Sequence, residues 1–354
     1  MTNRSQYNKL NSLQILRAIA AILVCFSHVH FSTKVYSAHF NMPSYESLAK
    51  FESFFRSGVD IFFIISGFVM AYVVTDKKIN LKFCKNFACK RILRIYPMYW
   101  IVLSAYAIYS YIFSSGGQFH SFKTIVLSSL LTPGYRLLPI SWTLTFEMTF
   151  YIIFTISLLI SIIEGDKFIL AISIISLAYA LSFLLQPTQD TFGILQSPLL
   201  YEFVIGIFIA KMYINKLLLP KLYAYLLIII YFIIVYYNIS TTLTPNGFSW
   251  EYIIRWGGSS SLIVYALICL EYRGVNFPQI LHKIGDSSYS LYLLHALLMT
   301  FFVKTWVKLD LPPLVSPRTL TLFLLLFAIT ASYLAYITLE KPMLKFTQKK
   351  FLNK

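Results

Sequence analysis

Arg17 and His28 lie in one apolar run, which passes from Leu13-Gln14-Ile15-Leu16-Arg17 to Phe26-Ser27-His28, and eleven residues separate them. At 3.6 residues per turn that is almost a whole number of turns, so a helix projects both side chains from one face, about 16 Å apart along its axis. An imidazole can take the proton of a hydroxyl or accept an acyl group itself, and a guanidinium can grip an anion. Such groups cost ~2.5–3.5 kcal/mol inside a bilayer on insertion scales, which marks them for function when they face the bundle interior. The competing structural reading is snorkelling for Arg17 and packing for His28. Arg17 lies too deep in its run to snorkel easily. His30, two residues beyond His28, must face elsewhere and reads as interfacial.

A second cluster is Cys89-Lys90-Arg91-Ile92-Leu93-Arg94-Ile95-Tyr96-Pro97. Arg91 and Arg94 are i, i+3 neighbours whose guanidinium forks match phosphate oxygens, and Pro97 suits a helix start or a kink. Lys77, Lys78, Lys82 and Lys85 read instead as ordinary anchoring at a membrane surface. Trp142-Thr143-Leu144-Thr145-Phe146-Glu147 places Glu147 inside another apolar run, with Tyr151 one turn on. Asp60 and Gly67 are seven residues apart on one face, with Ser66 beside Gly67; small residues such as these are most often packing surfaces. Ser288, Tyr292 and His295 form one stripe of a later run, for which interhelical hydrogen bonding is the structural alternative. Glu251 and Arg255 are an i, i+4 pair that can neutralise each other. No Gly-x-Ser-x-Gly elbow, no phosphate-binding glycine loop and no His/Cys/carboxylate grouping with metal-ligand spacing occurs.

The elements that carry these residues follow from composition. Of 354 residues 58% are hydrophobic and 12% charged, against about 25% charged in a soluble domain. The sequence predicts an all-α membrane protein, a bundle of about ten transmembrane helices near residues 12–30, 56–75, 96–113, 141–162, 168–185, 198–213, 222–238, 252–270, 287–303 and 319–339. A single membrane domain over 1–354, without a fused soluble domain, is expected. The net charge of +16 would suggest nucleic acid in a soluble protein, but here the basic residues cluster between apolar runs. With both termini cytoplasmic, the inside segments hold 20 Lys and Arg and the outside segments 8, which favours that orientation. The first run reads as a retained signal anchor, and the cysteines as reduced. The longest outside gaps, roughly 31–55 and 114–140, suit a lid or an acceptor groove.

In this order the clusters resemble the acyltransferase-3 family of integral-membrane acyltransferases. The match comprises Arg17-x10-His28, Gly58-Val59-Asp60 with Ser66-Gly67-Phe68, Arg91-x-x-Arg94 with Tyr96-Pro97, and Trp142-x4-Glu147. It continues through Arg255-Trp256-Gly257, Ser288-Tyr289-Ser290-Leu291-Tyr292-Leu293-x-His295 and Glu340-Lys341-Pro342. The surroundings of Glu147 look like the branch that modifies exopolysaccharide and O-antigen. Leu16 departs from a glycine frequent in the family, and Met148 from a second acidic residue.

The resemblance implies an O-acetyltransferase of the bacterial inner membrane, with acetyl-CoA (acyl-CoA) as co-substrate rather than as a permanently bound cofactor. Its acceptor would be a hydroxyl of a surface glycan or a lipid-linked oligosaccharide. His28 then matches the essential histidine, Arg17 its companion on both the catalytic and the donor side, and Arg91 with Arg94 the CoA pair. Glu147 is expected to orient His28 or the acceptor, and Asp60, Ser66, Ser288, His295 and Glu340 are supporting residues. A general base and an acyl-histidine both remain open. One continuous passage from the arginines to His28 is expected. The alternative is a multi-pass transporter of acyl donors or lipid-linked glycans; the half-repeats or paired broken helices that many transporters carry are absent from the sequence.

Overall fold

The computed structural model describes residues 10–43, 50–113, 120–185, 193–241, 249–313 and 315–352. Among them the chain is helical throughout, with turns between helices and no strand. Helix α1 spans Asn11–His39, and a short α2 (Glu52–Arg56) leads directly into α3 (Gly58–Val74). Then come α4 (Leu81–Phe113), α5 (Phe122–Ser129), α6 (Ser141–Ile160), α7 (Lys167–Leu185), α8 (Leu200–Ile214) and α9 (Lys221–Ser240). Next, α10 (Trp250–Tyr252) passes through a π-helical stretch, Ile253–Gly257, into α11 (Gly258–Tyr272). The chain closes with α12 (Gln279–Asp286), α13 (Ser288–Lys308), α14 (Pro317–Ala335), a second π stretch Tyr336–Glu340, and α15 (Lys341–Leu352).

Nine helices among the described residues are long and apolar enough to cross a membrane. Each coincides with one of the ten apolar runs. The remaining run corresponds to α8, a shorter helix of 15 residues. Two helices outrun their sequence signal. α1 continues nine residues past its apolar run because no Gly or Pro stops it and because Tyr36, 1% exposed, donates a hydrogen bond to the carbonyl of Val315 at 3.2 Å. α4 runs straight through Pro97, so Arg91 and Arg94 belong to the same helix as the span above them.

The segments Glu52–Val74 and Asn11–His39 are the most enclosed of the crossing helices, while α7 and α9 expose most of their surface. The tightest seam joins α3 to α8. A Cβ on Gly67 would fall on the carbonyl oxygen of Phe203, and one on Gly206 on that of Ile64, so the two backbones touch where only glycine permits it. Beside the seam, Phe203 stacks on Phe63 at 4.7 Å and on Phe150 at 4.3 Å. Part of the aromatic content is therefore interior packing rather than lipid contact. The first turn of α1 is held by Glu271, whose carboxylate accepts from the backbone N–H groups of Asn11 (2.7 Å) and Ser12 (2.8 Å) and from the Ser12 hydroxyl (2.6 Å). This fixes α1 lengthwise, and with it the heights of Arg17 and His28.

Candidate active site

α1 and α13 lie side by side and bring their stripes together. At one level of the bundle, Arg17, Ser66, Arg94, Glu147, Ser288 and Tyr289 border a narrow chamber of about 50 Å³, called here the lower chamber. Further along α1, His28 borders a wider one of about 440 Å³, the upper chamber, with Asp60, Arg56, Arg136, Trp142 and Tyr252. Val59 and Tyr292 belong to the walls of both.

The tautomer of His28 follows from its neighbours. His295 is fully buried, and its Nδ1 lies 3.0 Å from the carbonyl oxygen of Leu291. A carbonyl only accepts, so the His295 proton sits on Nδ1 and its Nε2 is an acceptor. That Nε2 faces Nδ1 of His28 at 3.2 Å. The carbonyl oxygen of Val24 lies 3.0 Å from the same nitrogen. So does the Ser27 hydroxyl, whose proton is donated to Val24 at 2.7 Å. Three acceptors thus surround Nδ1 of His28. It carries the ring proton, and Nε2 is left with a free lone pair.

Of the two roles expected of Glu147, orienting His28 or the acceptor, the first finds no hydrogen bond among the described residues. Glu147 faces the lower chamber, where its Oε1 accepts from the Ser66 hydroxyl at 2.9 Å and from the Tyr151 hydroxyl in a very short bond. The partner of His28 is His295. Arg91 and Arg94 also separate. Arg94 joins Arg17 at the lower chamber, whereas Arg91 lies over the rings of Phe87 (5.3 Å) and Tyr151 (5.8 Å) and borders a separate apolar crevice between α4 and α6. Three residues turn a helix by about 300°, which leaves the two guanidinium groups some 60° apart. Here that angle falls across a boundary between compartments. Arg91 reaches the chamber through Tyr151 and Glu147.

The other candidates divide between support and lining. Asp60 is 1% exposed at the upper chamber, with Glu202, itself fully buried, close by. Gly257 makes room for that acid, since a Cβ there would come within 2.7 Å of Glu202 Oε1. Sequence reasoning passed over Glu202, although an acid in Leu200-Tyr201-Glu202-Phe203-Val204 carries the same signal that exposed Arg17. Glu340 is buried in the π stretch before α15 and accepts from the Ser290 hydroxyl at 2.5 Å. Ser288 borders the lower chamber.

Where the two chambers adjoin, they share Val59 and Tyr292 as wall residues. The Tyr292 hydroxyl bonds the Thr143 hydroxyl at 2.5 Å and donates to the carbonyl oxygen of Ile140 at 3.1 Å, and Phe62 packs edge-on to its ring at 5.9 Å. A buried phenol held at two points thus stands in the wall common to both chambers.

The described helices thus set an imidazole at one chamber and two arginines at the other, within a bundle whose helices are long and apolar enough to cross a membrane. The chain belongs to the acyltransferase-3 family: the family model described as "Acyltransferase domain" matches residues 10–337. It is similar to the exopolysaccharide production protein ExoZ of Rhizobium meliloti (strain 1021), with 25% identity over 314 residues, 82% of this chain and 89% of that protein. No solved structure matches.

Proposed function

We propose that the protein is an O-acetyltransferase of the bacterial inner membrane that moves an acetyl group from cytoplasmic acetyl-CoA to a hydroxyl of a surface polysaccharide or its lipid-linked precursor. The reading rests above all on His28, whose Nε2 lone pair belongs to a side chain bordering the upper chamber. The family supports acyl transfer, and the exopolysaccharide role in the name of ExoZ supports a glycan acceptor. The distribution of Lys and Arg supports an inside N-terminus, with the lower chamber toward the cytosol.

Arg17 and Arg94 then meet the anionic donor from the cytosolic side, and Glu147, held by Ser66 and Tyr151, offsets their mutual repulsion. Nε2 of His28 takes the proton of the acceptor hydroxyl as its oxygen attacks the thioester carbonyl; the carbon–sulfur bond breaks and the thiolate recovers a proton from the imidazolium. In the covalent variant Nε2 attacks the thioester carbonyl first, Nδ1 being engaged by its three acceptors; the carbon–sulfur bond breaks and CoA leaves as thiolate. The acceptor oxygen then displaces Nε2 from the acyl carbon as its proton passes to that thiolate. In both, His295 keeps Nδ1 protonated. A lower chamber of about 50 Å³ holds only a few waters, so its walls must part for the slender arm of CoA to enter. The test is acetyl release from purified surface glycan of cells carrying the wild type or His28→Ala at equal membrane abundance. Loss of acetyl in the variant is expected; equal acetylation rejects the reading.

A further inference from the structure

The upper chamber is bordered by two arginines, Arg56 and Arg136, that form no ion pair among the described residues. Arg56 is half-buried with its guanidinium 5.8 Å from the centre of the Tyr252 ring, and no carboxylate among the described residues is within ion-pair distance of it. Glu52 stands one turn before it at i, i+4, the spacing that forms such pairs, yet the two do not pair. Arg136 is exposed and likewise without an ion-pair partner among the described residues. It is presented on an anchored loop: Leu137 and Leu138 behind it are buried, and the Leu137 N–H donates to the Ser128 hydroxyl at 3.0 Å.

Arg255 provides the contrast. Its guanidinium is neutralised by Glu251 at 2.9 Å and donates to the Thr241 hydroxyl at 3.2 Å. Arg273, without an ion pair among the described residues, is held instead by donating to the carbonyl oxygens of Leu218 at 2.8 Å and Leu219 at 3.2 Å. Arg56 and Arg136 instead open, unpaired, onto the same space of about 440 Å³ as His28, a size within the roughly 300–1000 Å³ of small-molecule sites. Two acids border the same space, Glu52 exposed at the rim and Asp60 1% exposed in the wall beside Glu202, and neither is within ion-pair distance of Arg56 or Arg136. Trp142 and Tyr252, bordering the same chamber, supply the flat apolar faces on which sugar rings stack.

We infer that the acceptor is an acidic glycan, whose carboxylate or phosphate is gripped by Arg56 and Arg136 while a nearby hydroxyl meets His28. This inference rests on the acyltransferase reading for the word acceptor, but the anion site itself does not. The planar forks of the two arginines suit either oxyanion, and a lysine in their place would keep charge while losing the bidentate geometry.

The test separates binding from turnover. The full chain carrying His28→Ala, purified in detergent, is titrated in a calorimeter with three probes. These are a trisaccharide containing one glucuronic acid, the same trisaccharide after reduction of its carboxyl to an alcohol, and the reduced form phosphorylated at that alcohol. The acidic probes are expected to bind about tenfold or more tighter than the neutral one, with affinity falling as salt rises. The tighter of the two names the natural anion. Arg56→Gln and Arg136→Gln each remove most of that advantage, Arg56→Lys and Arg136→Lys restore part of it, and Arg255→Gln leaves it intact. Equal binding of all three probes, binding of none, or unchanged selectivity in the Gln variants at wild-type melting temperature overturns the inference. Acetylation of cell glycans is scored separately. Transfer without charge selectivity removes only the acidic acceptor, whereas charge selectivity without transfer removes the acyltransferase reading and leaves an anion site.

Discussion

The His28–His295 contact gives the imidazole its direction, and its replacement distinguishes orientation from mere packing. Gln at position 295 can still offer an acceptor to Nδ1 of His28, and Ala cannot. His295→Ala is therefore expected to lower kcat for acetyl transfer about 10–100-fold with little change in KM for acetyl-CoA, while His295→Gln recovers part of it. Equal loss in both variants would make the contact structural. His28→Ala itself should cost about 10²–10⁴-fold, the usual contribution of a general base. At this scale much was legible in the sequence, because a titratable group in an apolar run is expensive wherever it lies. Arg17, His28, Glu147 and Asp60 all border one of the two chambers. What could not be read was who meets whom. His295 is 267 positions from His28, and nothing local to either reports the other. The division of Arg91 from Arg94 likewise depends on where Tyr151 and Phe87 lie.

The helices place these side chains through close backbone seams, and the α3–α8 crossing is the most sensitive of them. Gly67→Ala and Gly206→Ala each drive a methyl into a facing carbonyl, an overpacking worth about 1–3 kcal/mol. Both should lower the melting temperature in detergent, and the double variant should fall by less than the sum, because one displacement relieves both clashes. Additive losses would mean that the seam does not move as a unit. The ten apolar runs announced the helices through length and hydropathy alone. Their true ends did not follow from hydropathy: the last turns of α1 are held by Tyr36 against Val315. The π stretches at Ile253–Gly257 and Tyr336–Glu340 leave no periodic trace over five residues, yet one sets Gly257 against Glu202 and the other carries Glu340.

For the molecule as a whole, orientation is the first thing to measure. In a Cys89→Ser background, which removes the one native cysteine that is not buried, a cysteine at Lys78 should be labelled only from the cytosolic side and one at Lys123 only from outside. The reverse pattern would invert the donor and acceptor faces. The position of Tyr292 between the chambers has a further consequence. A shaft open from end to end would let hydronium run down the electrochemical gradient on every cycle and would spend the thioester on water. Tyr292, bonded to Thr143 and Ile140 where the chambers adjoin, is expected to limit such leakage in the resting protein. Vesicles carrying Tyr292→Ala are expected to dissipate an imposed pH difference faster than those carrying the wild type and to hydrolyse acetyl-CoA without a glycan present. A cell would then lose both energy stores through one missing phenol.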